Sequence, residues 1–403
     1  MFKKILSIVL ALAMVASLGV VFASCDQEET AELKVGFIFL HDENSTYDLN
    51  FINAAKAAVK ALGLTEDQVV YKTNVPEDAK CLDTAKELVE EGCTLIFADS
   101  FGHEQYMLEA AKLYPEVQFC HATGTMAHTE NLANFHNAFA AIYEGRYLAG
   151  IAAGMKLNEM IADGTIAAGE TPLMGYVGAH PYAEVISGYT SFYLGAKSVC
   201  PTVEMQVDFT DSWYDEAKER EMANKFISNG VHLISQHADS MGAPSACQEA
   251  GLPNVSYNGS TKTACPDTYI VSSYINWQPY FELIINAVKN GTEIPTDYCG
   301  TIATCSVALT EINDAVAAEG TAAAIEAAKA QLQAGTLHVF ATNTFTVNGA
   351  AVAEDQKADV DTDAAYTPDT DVVDGGYYHE SEYRSDHYFD LDIDGIIRLD
   401  KQN

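Results

Sequence analysis

The chain has 403 residues, enough for two domains of ordinary size, and 48% of them are apolar, which excludes wholesale disorder. Its formal charge of −35 argues against nucleic acid and anionic membrane as binding surfaces, because both are polyanions. Strongly anionic small ligands are disfavoured too, unless a local basic pocket overrides the overall field.

The chain opens on Met1-Phe2-Lys3-Lys4, a basic start, and runs through an apolar stretch over residues 5–23 to Ala23-Ser24 and then Cys25. This is the pattern of an export signal. It resembles the bacterial lipoprotein signal, in which the Cys after the small residues is lipidated and becomes the mature N-terminus. A signal over 1–24, a lipid anchor on Cys25 and a solvated tether over 25–33 are therefore expected. A plain secretory signal and a membrane-spanning anchor are the alternatives. Beyond Cys25 stand cysteines 81, 93, 120, 200, 247, 265, 299 and 305. The even number permits disulfides in an exported protein, but no CxxC pair occurs and several sit in apolar runs, so buried free thiols are at least as good a reading. No zinc-ligand spacing occurs, and no metal is expected.

From Lys34 the apolar runs KVGFIFL, QVVYKT, CTLIFADS and VQFCHATG read as strands. Between them FINAAKAAVKALG, DTAKELVEEG and EQYMLEAAKLYP carry helical spacing followed by Gly or Pro. The alternation restarts with strands MGYVGA, EMQVDFT, VHLISQHA, NVSYNG and TYIVSSYI around helices PYAEVISGYTSFYLGAKSV, DEAKEREMANKFISNG and PSACQEAG. Two such series imply an α/β protein of two doubly wound parallel-sheet lobes with a cleft between them. In open parallel sheets ligands bind beyond the carboxyl ends of strands, where the polar stretch HDENSTYDLN follows the first strand. An Ala-rich helix is expected over 310–335, and a strand over LHVFATNTFTV. The acidic stretch 354–374 offers Asp359, Asp361 and Asp363 at alternate positions. It fails as an EF-hand, with Ala364 at the sixth position and Thr370 at the twelfth, and reads as a solvated loop.

The order of GFIFLHDENSTYDLN, FADSFGHEQYMLEAAKLYPEVQFCHATG and NFHNAFAAIYEGRYLAGIAAG resembles the BMP (basic membrane protein) family of bacterial substrate-binding lipoproteins that serve ABC importers. The likeness continues through MGYVGAHPYAEVISGYTSFYLGAKSVCP, DSWYD, QHADS and YINWQPYF to DGGYYHESEYRSDHYFDLDIDG. The resemblance implies a type I periplasmic-binding-protein-like fold with a three-segment hinge. Lobe 1 would take residues 34–150 and about 278–336, and lobe 2 about 151–277 and about 337–403. It implies a purine nucleoside or nucleobase held in the cleft and delivered to a permease driven by an ATPase subunit. It also implies an exported protein, lipid-anchored on the outer face of the cell membrane, with no cofactor.

Carried over by position, Tyr47-Asp48 occupies the place of the family's Phe-Asn or Trp-Asn pair, and Trp213 supplies an opposing ring. Two facing rings suit a flat heteroaromatic ligand. Polar groups at strand ends suit the edge of a purine: Asn44 and Asp48, Asp99 and Ser100, and His121 from the first lobe, with Asp239, Ser240 and Asn258 from the second. Each of these also suits a turn or helix cap. Nucleoside-binding relatives carry a Lys after the last strand of the second lobe; here Trp277 stands near that place, in the ligand site or in hinge packing. Its absence leaves free base and nucleoside both open. The GxSxG, HExxH and GxGxxG motifs and the DxDxxxDD calcium cluster of nucleoside hydrolases are absent, so an enzyme is not expected. The alternatives are a ligand-sensing receptor for another small heteroaromatic molecule and, less favoured, a nucleoside-processing hydrolase.

Overall fold

A computed structural model describes residues 33–130, 132–360 and 367–401. The signal, Cys25 and the tether up to residue 32 lie outside the described residues, as do Asp361 and Asp363 of the acidic loop.

The first series runs β1 (Val35–Ile38), α1 (Thr46–Leu62), β2 (Val69–Lys72), α2 (Ala79–Glu90), β3 (Leu95–Ala98), α3 (Glu104–Leu113), β4 (Gln118–Ala122), α4 (Ala127–Glu130) and β5 (Phe135–Ala140). The long helix α5 (Ile142–Ala162) leads to β6 (Leu173–Gly178), α6 (Ala183–Val199), β7 (Glu204–Phe209), α7 (Glu216–Ser228), β8 (Leu233–Gln236), α8 (Gly242–Ala250), β9 (Asn254–Tyr257) and β10 (Tyr269–Ile275). The chain continues through α9 (Gln278–Asn290), β11 (Asp297–Gly300), β12 (Val307–Leu309) and α10 (Thr321–Gln333). Two short ladders follow, β13 (Lys357–Ala358) with β14 (Thr370–Asp371) and β15 (Val373–Asp374) with β16 (Tyr377–Tyr378), and last comes β17 (Ile396–Arg398).

Among the described residues the long strands form two sheets. One has the order β11-β5-β4-β3-β1-β2, the other β12-β10-β9-β8-β6-β7-β17. Pairing is parallel throughout except where β12 runs against β10. In each sheet the order reverses at the first strand of its series, between β1 and β3 and between β6 and β8, which is where a doubly wound sheet opens a crevice. The buried runs VGFI of β1 and LIFA of β3 follow from helices covering both faces. The helices α5 and α6 pack tightly because Gly150 and Gly195 face each other's backbones: a Cβ at Gly150 would meet the Phe192 carbonyl, and one at Gly195 the Tyr147 carbonyl. α10 also lies against α5, on the far side of the expected division near residue 336.

The chain passes between the sheets at three places among the described residues: 141, 276–277 and 301–306. They are tied together by Ala141 N donating to Gly300 O at 2.7 Å, and by Asn276 N donating to Ser306 O at 2.8 Å. Ile302 N donates to the Glu144 carboxyl at 2.7 Å. This is the three-segment hinge of a type I periplasmic-binding fold.

Several expectations are corrected. The Ala-rich helix begins only at Thr321, because Gly320 takes a left-handed φ of 83° and Asn313 turns the preceding segment by donating to the Pro266 and Tyr269 carbonyls at 2.8 and 3.0 Å. The strand expected over 337–347 is a run of turns with only isolated bridges: Thr344 N donates to Ala341 O at 2.9 Å, Thr342 N reaches Gly376 O at 2.9 Å, and Phe340 stacks on Phe389 at 4.3 Å. β5, β11, β12 and β17 were not foreseen. The eight cysteines from Cys81 on are free thiols, six of them buried. Burial pushes Cys93 up to about 11 and Cys120 and Cys247 up to about 12, so they serve as small apolar side chains.

Candidate functional site

The stretch HDENSTYDLN is both a loop and a helix start. Ser45 caps α1, its hydroxyl accepting from Asp48 N at 3.2 Å, and this places Tyr47 and Asp48 in the first turn. Asp48 then accepts from His41 N at 2.7 Å and faces His41 Nδ1 at 3.3 Å. Burial opposes ionisation of Asp48, but the hydrogen bonds from His41 and Ser45 outweigh it and hold the carboxyl below its ordinary value. The same contact raises His41. After β3, Glu77 fixes the next loop by accepting from Ser100 Oγ at 2.5 Å and Gly102 N at 2.8 Å.

The second sheet supplies the opposite wall. Asp215 caps α7 by accepting from Lys218 N at 3.1 Å, and Trp213 stands two residues earlier. Its carbonyl accepts from Asp239 N at 2.9 Å, which couples the loops after β7 and β8. The lobes touch directly where Thr46 Oγ1 donates to Asp239 O at 2.9 Å.

Between the lobes lies a narrow cavity of about 30 Å³. The first lobe lines it with Leu40, His41, Tyr47, Asp48, Ser100, Phe101 and Thr123. The second contributes Glu184, Trp213, His237, Asp239 and Tyr257. These residues sit at the carboxyl ends of β1, β3, β4, β6, β7, β8 and β9, the side on which such sheets bind ligands. Rings therefore come from both lobes, and so do carboxyls. Burial raises Asp239 well above the usual carboxylate range, with the fields of Glu219 and Asp48 adding to it, and raises Glu184 as well. Burial also drives His237 well down, leaving it neutral, with Nε2 3.2 Å from Glu184 Oε1. Behind Tyr257 the buried Arg146 lies 3.4 Å from the ring centroid and donates to Gln236 O at 2.9 Å. Such a set offers stacking surface and hydrogen-bonding carboxyls whose hold on a proton is strengthened by burial.

Of the residues expected at the site, Tyr47, Asp48, Ser100, Trp213 and Asp239 line the cavity. Asn44 is exposed and donates to Asp42 at 2.8 Å. His121 holds the Ser100 carbonyl at 2.7 Å. Ser240 takes its place under Glu219, which accepts from its amide at 3.2 Å. Asn258 stands 3.5 Å from Asp239, behind the wall. Trp277 is not at the cavity: it is 2% exposed, stacked on Phe51 at 4.4 Å and packed by Phe97, Phe139 and Tyr280. It is hinge packing. Sequence reasoning passed over His41, Phe101, Thr123, Glu184, His237 and Tyr257. Glu184 and Tyr257 had a readable signal, one beginning the helix after MGYVGA and the other ending the strand NVSY.

Asp99 is fully buried and braces the wall from behind. Its Oδ1 accepts from Leu40 N at 3.0 Å, and Tyr47 OH donates to its carbonyl at 2.6 Å. Oδ2 meets no donor among the described residues and lies beside Asp48, so burial first and the Asp48 charge second push its pKa well up. A carboxyl raised in the folded state contributes fully below its unfolded pKa and loses that contribution as pH rises through the folded value. Asp99→Asn keeps an acceptor for Leu40 and removes the titrating group, so it escapes that loss. The variant is therefore expected to gain stability relative to the parent as pH rises from 5 to 8, by about 1 kcal/mol. Urea midpoints at the two pH values check this; an equal loss at both would contradict it.

A family model described as "ABC transporter substrate-binding protein PnrA-like", the Bmp family, matches residues 38–329. The chain belongs to this family. Among Bmp-like relatives, a purine-binding protein of Brucella abortus is 34% identical over 264 residues, which span 65% of this chain and 70% of that protein. A Haloferax volcanii protein named as an ABC transporter glucose-binding protein is 32% identical over 49% of this chain and 46% of its own length. The crystal structure of an ABC transporter solute-binding protein from Aeropyrum pernix superposes with a TM-score of 0.64 at 16% identity, covering 76% of this chain and 93% of that one. That likeness bears on fold alone. Bmp proteins are exported substrate-binding components of ABC importers that hold a small-molecule ligand and work with a permease. Among the described residues no helix is long and apolar enough to cross a membrane, and no group of three His, Cys, Asp or Glu is placed to hold a metal ion.

Proposed function

We propose that this Bmp protein captures a purine, as nucleobase or nucleoside, between Tyr47 and Trp213, and delivers it to its permease from a lipid anchor at Cys25 on the outer face of the membrane. The observation that carries the ligand class is the convergence of aromatic rings and buried carboxyls from both lobes on one narrow cavity. A purine presents a flat π-face to the rings and a mixed donor–acceptor edge to Asp48, Ser100, Asp239 and Glu184. The purine-binding relative supports the same class. The two lobes are residues 34–140 with 278–300, and 142–275 with 307–401. The protein acts by capture and release, the role of the substrate-binding family to which it belongs. Opening of the lobes on the permease releases the ligand.

The test is to denature the purified protein and analyse what it releases by liquid chromatography with ultraviolet and mass detection. A purine base or nucleoside near one per chain is expected. A sugar or other non-aromatic compound in that amount would overturn the ligand class while leaving the family intact.

A further inference from the structure

A separate cavity lies at the hinge. It measures about 310 Å³ and shares no lining residue with the interlobe cavity. One side is the hinge itself, with Tyr143 and Glu144 where α5 begins and Cys299 and Thr301 around the end of β11. The other side comes from the end of α10 and from residues 337–340 and 377–382. Both of these later stretches lie outside the residues 38–329 matched by the family model. They are tied to each other and to the hinge: Tyr378 N donates to Phe340 O at 3.0 Å, and Tyr143 OH donates to Glu380 O at 3.2 Å.

The lining is aromatic and acidic. Tyr143, Phe340 and Tyr378 contribute rings, and so does a stack in which Tyr377 lies 3.7 Å from His338 and 4.0 Å from His379 between centroids. Carboxyls come from Glu144, Glu380 and Glu382, and no Lys or Arg lines the cavity. Glu382 is matched by His379 Nδ1. The other two carboxyls are held by amides. Glu144 accepts from Ile302 N at 2.7 Å, and Glu380 Oε2 accepts from Tyr388 N at 3.4 Å. Glu380 is 4% exposed, and its Oε1 meets no donor among the described residues. The Oγ of the neighbouring Ser381, also buried, has no partner there either. Leaving buried polar atoms unmatched is costly, and a ligand that supplies the bond recovers that cost. Burial pushes Glu144 up to about 7 and Glu380 up to about 8, and a cation brought against them would displace the proton.

Rings and carboxyls without a basic side chain favour a cation, and the overall charge of −35 draws cations to the surface and repels anions. A bare metal ion would leave the aromatic wall unused. A charged nitrogen carrying small apolar groups uses both parts of the lining. We propose that this cavity is a second binding site, taking a small organic ammonium compound between its aromatic wall and the carboxyls of Glu144 and Glu380. The site is independent of the purine reading of the cleft. Because Glu144 also holds Ile302 of the third hinge segment, the bound ammonium rests on a segment that bends when the lobes open.

The test is titration calorimetry of the purified protein with choline and with tetramethylammonium, set beside the uncharged carbon isostere of choline. It is run on the parent, on Glu380→Gln and on Glu144→Gln, with thermal melts to confirm folding. The expected result is saturable binding of at least one ammonium compound at one per chain, with the isostere at least about tenfold weaker. Each substitution is expected to lower ammonium affinity about tenfold. Absence of saturable binding by both ammonium compounds, an isostere that binds as well as choline, or unchanged affinity in the variants would overturn the site. If Glu380→Gln does not fold, Glu144→Gln decides on the same criterion. Purines titrated into the same samples report on the cleft alone, so the two readings stand or fall separately.

Discussion

Trp277→Ala is expected to lower the stability of the protein by about 3–5 kcal/mol, the cost of removing a fully buried large aromatic side chain. The ring stacks on Phe51 of α1 at 4.4 Å and meets Phe97 of β3, Phe139 of β5 and Tyr280 of α9. It thus fills the junction of four elements where the chain re-enters the first lobe from β10. The cavity left by truncation has no neighbour able to collapse into it, since the surrounding rings are each held by others. The measurement is the urea midpoint, followed by fluorescence and circular dichroism. A midpoint near that of the parent together with a large loss of ligand affinity would show that the ring belongs to the binding site instead.

Trp213→Ala is expected to do the opposite. Trp213 lies at the edge of the second-lobe core and contacts His180 and Tyr182, half-exposed rather than enclosed, so stability changes little. Loss of a base-stacking ring costs about 1–3 kcal/mol of binding, or roughly 5- to 150-fold in affinity. Trp213→Phe should recover much of this, because a flat ring is retained. Calorimetry with the best ligand of the parent reads both effects. Unchanged affinity in Trp213→Ala would remove the second wall of the clamp.

The two tryptophans show what the sequence discloses and what it withholds. Both follow a strand of the second lobe, and both are aromatic residues in polar surroundings: DSWYD for one and INWQPY for the other. Position after a strand was legible for both, and Trp213 lines the cavity. What was not legible is that the chain leaves the second sheet at Asn276, so that Trp277 begins a helix that packs on α1 of the first lobe. That depends on a contact between residues more than two hundred apart. The same holds for Asp99 and His121, which stand at strand ends as a ligand contact would, yet are buried with Asp99 Oδ1 accepting from Leu40 N and His121 Nε2 holding the Ser100 carbonyl. A strand end tells which side of the sheet a residue is on, and the neighbouring loop decides whether it faces the cavity or braces it. The doubly wound lobes were readable because hydrophobic period and stop signals are local. The edge strands β11, β12 and β17 were not, because they are short and take their pairing from distant strands. Tyr377, His379 and Glu380 were visible in the C-terminal sequence, but nothing local shows that this segment returns to the hinge.

The most direct test of the central claim is titration calorimetry of the protein from Asp26 onward, unfolded and refolded to strip bound ligand, with adenine, guanine, hypoxanthine and their nucleosides set beside ribose. Saturable, one-to-one binding of at least one purine compound and none of ribose is the predicted result. Folded protein that binds none of the purines, or that binds ribose with the same affinity, would contradict it.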